Sequence, residues 1–370
     1  VHKYEKVKVW VIPSRRVGKR ALTPNERRVL GGLVQRPTLN DRELSEALGI
    51  KGSTVTASRR RLRRAEVFVT RRVPMMHRLG WELLFAGYGT LPLERGADAG
   101  SRMRQAIEGR FPTIFHVLQA PDHFVFLGSA PDYTTLVREF DEFRAALDRV
   151  GLLREASVHL TVVPVALSIL GNVFDFGRLI ADGLGIPKPH SPATAVDSAA
   201  PIDLSRKETE VLKGLVRHPE MSDKAVAGKI HASRQAVSKM RREFQAEGLL
   251  RTVRIPNLHA LGFELFGSVF TRYAPGATIS ARRAVIEKIL AEAPVYFHAT
   301  TNSESVLLGA LRSYDQVSGL RTLFTGYAQA KGFPIGEPTI LMGPANAIEI
   351  LRNCDFSGAV QMLPEPGSRR

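Results

Sequence analysis

Two stretches of this 370-residue chain carry side chains suited to contacting a nucleic acid. The first holds Ser53, Thr54, Thr56, Arg59, Arg60, Arg61 and Arg63; the second holds Ser233, Arg234, Gln235, Ser238, Lys239, Arg241 and Arg242. Val55 and Leu62 in the first, and Val237, Met240 and Phe244 in the second, fall at helical spacing and would be buried, leaving the polar residues on the outer face. Arg and Gln make bidentate contacts to guanine and adenine edges. Ser53, Thr54, Arg234, Gln235 and Ser238, nearest the helix starts, are therefore candidates for base contact. Thr56 and Arg61 share that face, and Ser233 is a good N-cap. Arg59, Arg60, Arg63, Lys239, Arg241 and Arg242 are candidates for holding phosphates. The plainer reading of such a face is a solvated helix surface.

The distribution of charge favours the nucleic acid. The whole chain is net +16. Residues 1–20 carry seven Lys/Arg and one Glu, residues 51–72 eight and one, and residues 231–254 six Lys/Arg and two Glu. These three patches account for the whole excess, so the rest is close to neutral. Focused charge is the footprint of defined docking surfaces rather than of diffuse solubility. The first patch (Lys3, Lys6, Lys8, Arg15, Arg16, Lys19, Arg20) reads either as an arm on phosphates or as an edge strand around Trp10. Cys354 is the single cysteine; it excludes a disulfide framework and fits a reducing, cytoplasmic setting. No apolar run is long enough to span a bilayer, and no signal-peptide pattern opens the sequence. No His pair at i, i+4, Cys/His cluster, phosphate loop or nucleophile elbow occurs. The expectation is a protein without catalytic residues, metal or cofactor.

The elements that must position these faces occur twice. Shifted by 182 positions, Leu22–Leu84 matches Leu204–Phe266 without a gap, with identities at Glu26/Glu208, Asp41/Asp223, Arg59/Arg241, Arg60/Arg242, Arg72/Arg254 and Gly80/Gly262. Phe115-His116 matches Phe297-His298 at the same shift, and the later pairs Tyr133/Tyr314 and Asp175-Phe176/Asp355-Phe356 follow with a residue or two lost. Each copy opens with two short helices, a tight turn and a basic third helix, which is a helix-turn-helix pattern with an alternating wing strand behind it. Each continues as βαββαβ, a ferredoxin-like order. The fold class is α+β. The expected organisation is a basic arm (1–21), a first helix-turn-helix (22–74), a first ferredoxin-like domain (75–182), a Pro-rich linker (183–203), a second helix-turn-helix (204–256), a second ferredoxin-like domain (257–362) and a tail (363–370).

With the Leu-Gly hinges Leu79-Gly80 and Leu261-Gly262, this order resembles the Lrp/AsnC transcriptional regulators, here in a tandem form of the archaeal type. The resemblance implies a winged helix-turn-helix on double-stranded DNA and a RAM/ACT-like second domain that assembles the molecule into a homodimer or higher homo-oligomer and binds a small-molecule effector; because the two third helices differ in sequence, the expected site is two unlike half-sites. The family's Gly-x-x-Asp turn corresponds to Gln119-Ala120-Pro121-Asp122 and Thr301-Asn302-Ser303-Glu304, which keep the acid and lack the glycine. The implied effector residues are Asp122, Asn302 and Glu304, with His116, His123 and His298 as neighbouring candidates. Two alternatives stand beside this: an enzyme of the siroheme decarboxylase type, which resembles the same two-part architecture, and an architectural protein binding DNA with little sequence preference.

Overall fold

The computed structural model describes residues 21–92, 98–153, 158–189, 200–324 and 332–364. Residues 1–20 of the basic arm, residues 190–199 of the Pro-rich linker and the tail beyond 364 lie outside the described residues.

The first half runs α1 (Pro24–Gln35), α2 (Asp41–Leu48), α3 (Gly52–Arg64), β1 (Phe68–Pro74), β2 (Leu83–Thr90), α4 (Ala99–Ile107), β3 (Ile114–Gln119), β4 (His123–Ala130), α5 (Tyr133–Arg149), β5 (Val158–Pro164), β6 (Ile169–Gly171) and α6 (Gly177–Leu184). The second repeats it as α7 (Arg206–Arg217), α8 (Asp223–Lys229), α9 (Arg234–Ala246), β7 (Leu250–Pro256), β8 (Leu265–Arg272), α10 (Ile279–Glu292), β9 (Val295–Thr300), β10 (Glu304–Leu311), α11 (Asp315–Phe324), β11 (Thr339–Pro344), β12 (Glu349–Arg352) and α12 (Ser357–Gln361). The fold is α+β, with a winged helix-turn-helix followed by a ferredoxin-like domain in each half.

The helix starts are written in the sequence. Thr23 and Glu26 form a capping box on α1, and Ser205 and Glu208 form the same box on α7. Such a box satisfies two otherwise unpaired backbone donors and stabilises by about 1 kcal/mol. After each wing, Gly80 and Gly262 take φ of 83° and 87°. A side chain would strain that left-handed turn, which explains the repeated Leu-Gly.

The wings form one antiparallel ribbon. β1 pairs with β7 in a register that sets Thr70 opposite Arg254 and Arg72 opposite Thr252. One helix-turn-helix is thereby hydrogen-bonded to the other.

Each ferredoxin-like sheet has five strands, in the orders β12-β3-β4-β2-β5 and β11-β8-β10-β9-β6. Four come from one half and the fifth is exchanged: β6 adds to β9, and β12 adds to β3. The sequence reading of four strands per sheet is thus corrected. Strands of three and four residues are too short to show a period of two, and no local pattern marks the exchange. The arriving segments bring anchors. The half-buried Arg352 guanidinium donates to the carbonyls of Ile107, Arg110, Phe111 and Ile114. Asn172, its counterpart, donates to the carbonyls of Leu290 and Val295.

The two sheets pack face to face. Ala86, Val125, Leu127 and Val163 of one meet the layer of Phe266, Phe270, Val306 and Leu308 of the other, in a core continuous with that of the helix-turn-helix pair. Tyr88 joins the layers, 4.6 Å from Phe270 and hydrogen-bonded to Thr339 Oγ1 at 3.3 Å. The opposite faces are covered by helices, with Met103, Leu136 and Phe143 on Phe85, Phe124 and Phe126, and Val285 and Ile289 on Val295 and Leu307. Burying a large apolar side chain contributes about 2 kcal/mol, so both sheet faces find their cover within one chain.

Candidate nucleic-acid interface

Most of the side chains expected to face DNA reach solvent, several of them while paired within the protein, Arg63 with Glu220 among these. Ser53, Arg60, Arg61, Arg63, Ser233, Arg234, Gln235, Lys239 and Arg242 are exposed, and Thr54 is half-buried. Arg60, Arg234 and Gln235 have no partner among the described residues. Lys239 lies 3.7 Å from Glu243, Arg61 lies 3.6 Å from Glu26, and Arg242 Nε donates to the Ser238 carbonyl. The two helices begin differently. Ser233 caps α9 by accepting from Ala236 N, whereas Lys51 gives α3 no side-chain cap. The start of α3 therefore carries a cation and no side-chain cap, which suits a phosphate.

Four of the expected contacts are held by aspartates of the protein instead. Asp223, on α8, accepts from Ser238 Oγ at 2.6 Å and from Arg241 Nε at 3.0 Å. Asp41, on α2, accepts from Thr56 Oγ1 at 2.7 Å and faces Arg59 Nε at 2.9 Å. Each aspartate ties the second helix of its motif to the third and fixes the angle at which the third is presented. Burial pushes the Asp223 carboxyl up, and the hydrogen bonds from Arg241 and Ser238, with the charges of Arg241 and Arg72, more than offset this and hold it below the usual carboxylate range. Sequence reasoning missed both aspartates as organisers. The signal was present: Asp41/Asp223, Arg59/Arg241 and Arg72/Arg254 are all identities between the copies.

Between the two motifs lies a cleft of about 280 Å³, walled by Arg59, Arg63, Arg72, Arg241 and Arg254, with Glu220 and Asp223 among them. Arg72 reaches across the ribbon to the Leu215 and Met221 carbonyls and to Asp223 at 4.0 Å. Its mirror image Arg254 reaches the Leu33 carbonyl at 2.9 Å. Burial lowers both guanidinium pKa values to about 10; Arg241 repels the charge on Arg72, and Arg59 that on Arg254.

The effector candidates lie apart. His123 Nδ1 is 2.7 Å from Asp122 Oδ1 at the β3–β4 turn. Asn302 Oδ1 accepts from Ile279 N at the start of α10. Glu304, half-buried on β10, is pushed up by burial. His116 and His298 are buried, and burial lowers both to about 3, with Arg282 adding to the effect on His298.

The expectation that these two histidines occupy matching places is overturned. Both strands carry a bulge, at Phe115 in β3 and at Tyr296 in β9. Asp355 N donates to the Phe115 carbonyl, and Asp175 N donates to the Tyr296 carbonyl, so the spatial shift here is 181. His116 pairs across with Leu127 in the inter-sheet core, and its true counterpart is Phe297, opposite Leu308. His298 instead pairs with Leu307, on the helix-covered side. The one-residue loss already precedes β9, and sequence identity alone could not place it. His116 Nδ1 lies 3.8 Å from Cys354 Sγ. Cys354 and its counterpart Phe174 both sit at positive φ, 50° and 51°. Burial raises the Cys354 thiol well above its ordinary value, so it is a thiol in the core rather than a reactive one. Among the described residues, no group of three or more His, Cys, Asp or Glu side chains could hold a metal, and no helix is long and apolar enough to cross a membrane.

No family model matches the chain, and no curated protein does. Solved structures do. The siroheme decarboxylase NirDL is similar over 92% of this chain and 98% of its own, with a TM-score of 0.50 and 10% identity. The same enzyme in complex with an iron-uroporphyrin III analogue gives 0.50 and 11%, over the same shares of the two chains. The AsnC protein of E. coli matches over 38% of this chain and 92% of its own, with a TM-score of 0.29 and 12% identity. LrpC of B. subtilis matches over 38% and 95%, at 0.29 and 12%. The expectation of a non-enzyme is corrected here: the fold that this chain shares almost end to end is one that serves a decarboxylase.

Proposed function

We propose that the chain is a double-stranded-DNA-binding transcriptional regulator that presents two unlike recognition helices, α3 and α9, to two unlike half-sites. The observation that carries this reading is the pair of exposed basic faces at the third helix of each motif. Arg60, Arg234 and Gln235 have no partner among the described residues, and the motifs are joined through one ribbon. Their side chains are open to an outside partner. Arg60, Arg61, Arg63, Lys239 and Arg242 hold phosphates on this reading. Ser53, Thr54, Arg234 and Gln235 approach base edges. Asp41 and Asp223 act behind them, through Arg59, Thr56, Arg241 and Ser238. A small effector and a further homodimeric assembly belong to the same reading.

The test is selection from sheared DNA of the source organism at low and moderate salt. Sharp peaks sharing an asymmetric two-part motif support a specific regulator. Even, salt-sensitive recovery would mean phosphate-only, architectural binding. No recovery at either salt refutes DNA binding.

A second reading, a tetrapyrrole decarboxylase, is favoured by the likeness that spans 92% of the chain. Titration with an iron porphyrin and incubation with siroheme test it. A shifted absorbance band together with release of carbon dioxide supports it, and an unchanged spectrum rejects it.

A further inference from the structure

The cleft between the helix-turn-helix motifs is asymmetric in charge although its frame is symmetric. On one side Glu220 inserts its carboxylate. It accepts from Thr70 N at 2.5 Å and pairs with Arg63 at 2.5 Å. The pseudo-dyad turns Glu220 into Thr38, Arg63 into Gln245 and Thr70 into Thr252. On that side Thr38 brings no carboxylate, and Asp41 is held by Arg59. Gln245 Nε2 donates to Thr252 Oγ1 at 3.0 Å. Antiparallel alternation sends Thr252 N outward as it sends Thr70 N. Arg254 has no carboxylate within 4 Å among the described residues, whereas Arg72 has Asp223.

Five guanidinium groups share the cleft with the carboxylates of Glu220, Asp223 and, behind Arg59, Asp41. The local balance is two positive charges in a partly dehydrated space, where like charges repel more strongly than in water. From this we infer that the Thr38 side of the cleft is a binding site for a phosphate dianion, held by Arg254, Thr252 N and Gln245 where Glu220 serves the opposite side. A phosphate monoester at neutral pH carries between about −1.5 and −2, which matches the deficit. The cleft volume leaves room for a small organic group beyond the phosphate itself. Two sources offer this chemistry, a free phosphate compound and a DNA backbone phosphate.

Bound there, the anion links Arg254 of β7 to the α1–α2 turn of the other motif, and so fixes the spacing of the recognition helices. The site stands on the cleft alone and survives if DNA binding fails.

The test compares thermal unfolding in phosphate with chloride at equal ionic strength, without DNA. The full chain should show a concentration-dependent rise in midpoint, on the order of 2 °C or more at saturating phosphate. Thr38→Glu supplies the missing carboxylate from within. It should raise the midpoint in chloride and abolish the response to phosphate. Arg254→Gln should abolish the response while lowering the midpoint. DNA affinity of Thr38→Glu then names the source: a loss of about tenfold assigns the site to a backbone phosphate, and unchanged affinity assigns it to a free compound. Absence of any phosphate response in the unmodified chain overturns the proposal. So does a response that persists in Thr38→Glu.

Discussion

Asp223→Asn isolates the device that holds the second recognition helix. The substitution keeps side-chain shape and removes the charge. Asp223 is 14% exposed and meets Arg241, Ser238 and, at 4.0 Å, the 9%-exposed Arg72. Losing the charge leaves Arg72 and Arg241 without a carboxylate, and the amide offers one acceptor oxygen to Ser238 and Arg241 where the carboxylate offered two. Breaking a largely buried pair from one side costs about 3–5 kcal/mol, and the partial exposure of Arg241 at 28% places this case near 3 kcal/mol. Asp41→Asn removes the equivalent group where the partners are wetter, with Asp41 at 30% and Arg59 at 26% exposure. Screening brings that loss near about 1 kcal/mol. Urea unfolding at pH 7 measures both, and a cycle with Arg241→Gln should return coupling of about 1 kcal/mol or more. The low carboxyl pKa of Asp223 gives the sign with pH. Its stabilisation is complete above the unfolded value near about 3.9 and is lost as pH falls through the lower folded value. If the two aspartates cost the same, or Asp223→Asn costs less than about 1 kcal/mol, burial does not set the strength of this lock.

Other expectations follow from the same geometry. His116 and His298, both lowered to about 3, are neutral when folded. Their stabilisation is full above about pH 6.5 and declines toward pH 3, by up to about 1.4 kcal/mol per pH unit each. His116→Phe, which copies Phe297, should therefore lose about 2 kcal/mol less than the parent between pH 7 and pH 5 in urea midpoints; an unchanged slope refutes this. Arg352→Ala orphans carbonyls of Ile107, Arg110, Phe111 and Ile114 and should cost about 3–5 kcal/mol, more than Asn172→Ala by calorimetry. Arg60→Gln should weaken DNA uniformly across sequences and reduce the salt slope by about 1, whereas Gln235→Ala should cost about 1–3 kcal/mol at one half-site only; equal effects on both half-sites in a binding assay would contradict the assignment.

Much of this architecture is legible in the sequence because its signals are local. Capping boxes at Thr23 and Ser205, apolar spacing in α3 and α9, and the paired Leu-Gly turns are each readable within a few residues. The exchanged strands are not, since the partner of Ile350 lies more than two hundred residues earlier, at Leu118. The one-residue loss that separates His116 from His298 also leaves no mark, because a one-residue slip reverses facing without changing composition. At the nucleic-acid face, residue type alone grouped Arg59 with Arg60. What separates them is Asp41, which claims one and not the other.

Strand exchange also governs the order in which the molecule can be finished. As the nascent chain leaves the ribosome, β3 has no neighbour on its outer side until residues 349–352 emerge, after nearly all of the second half. For that interval the first sheet shows an open edge, the geometry most prone to pairing with a stranger. Its own half carries the remedy in β6, which is the counterpart of β12. A chain ended after the first half should accordingly be rescued by a second copy of itself, each lending β6 to the other's β3.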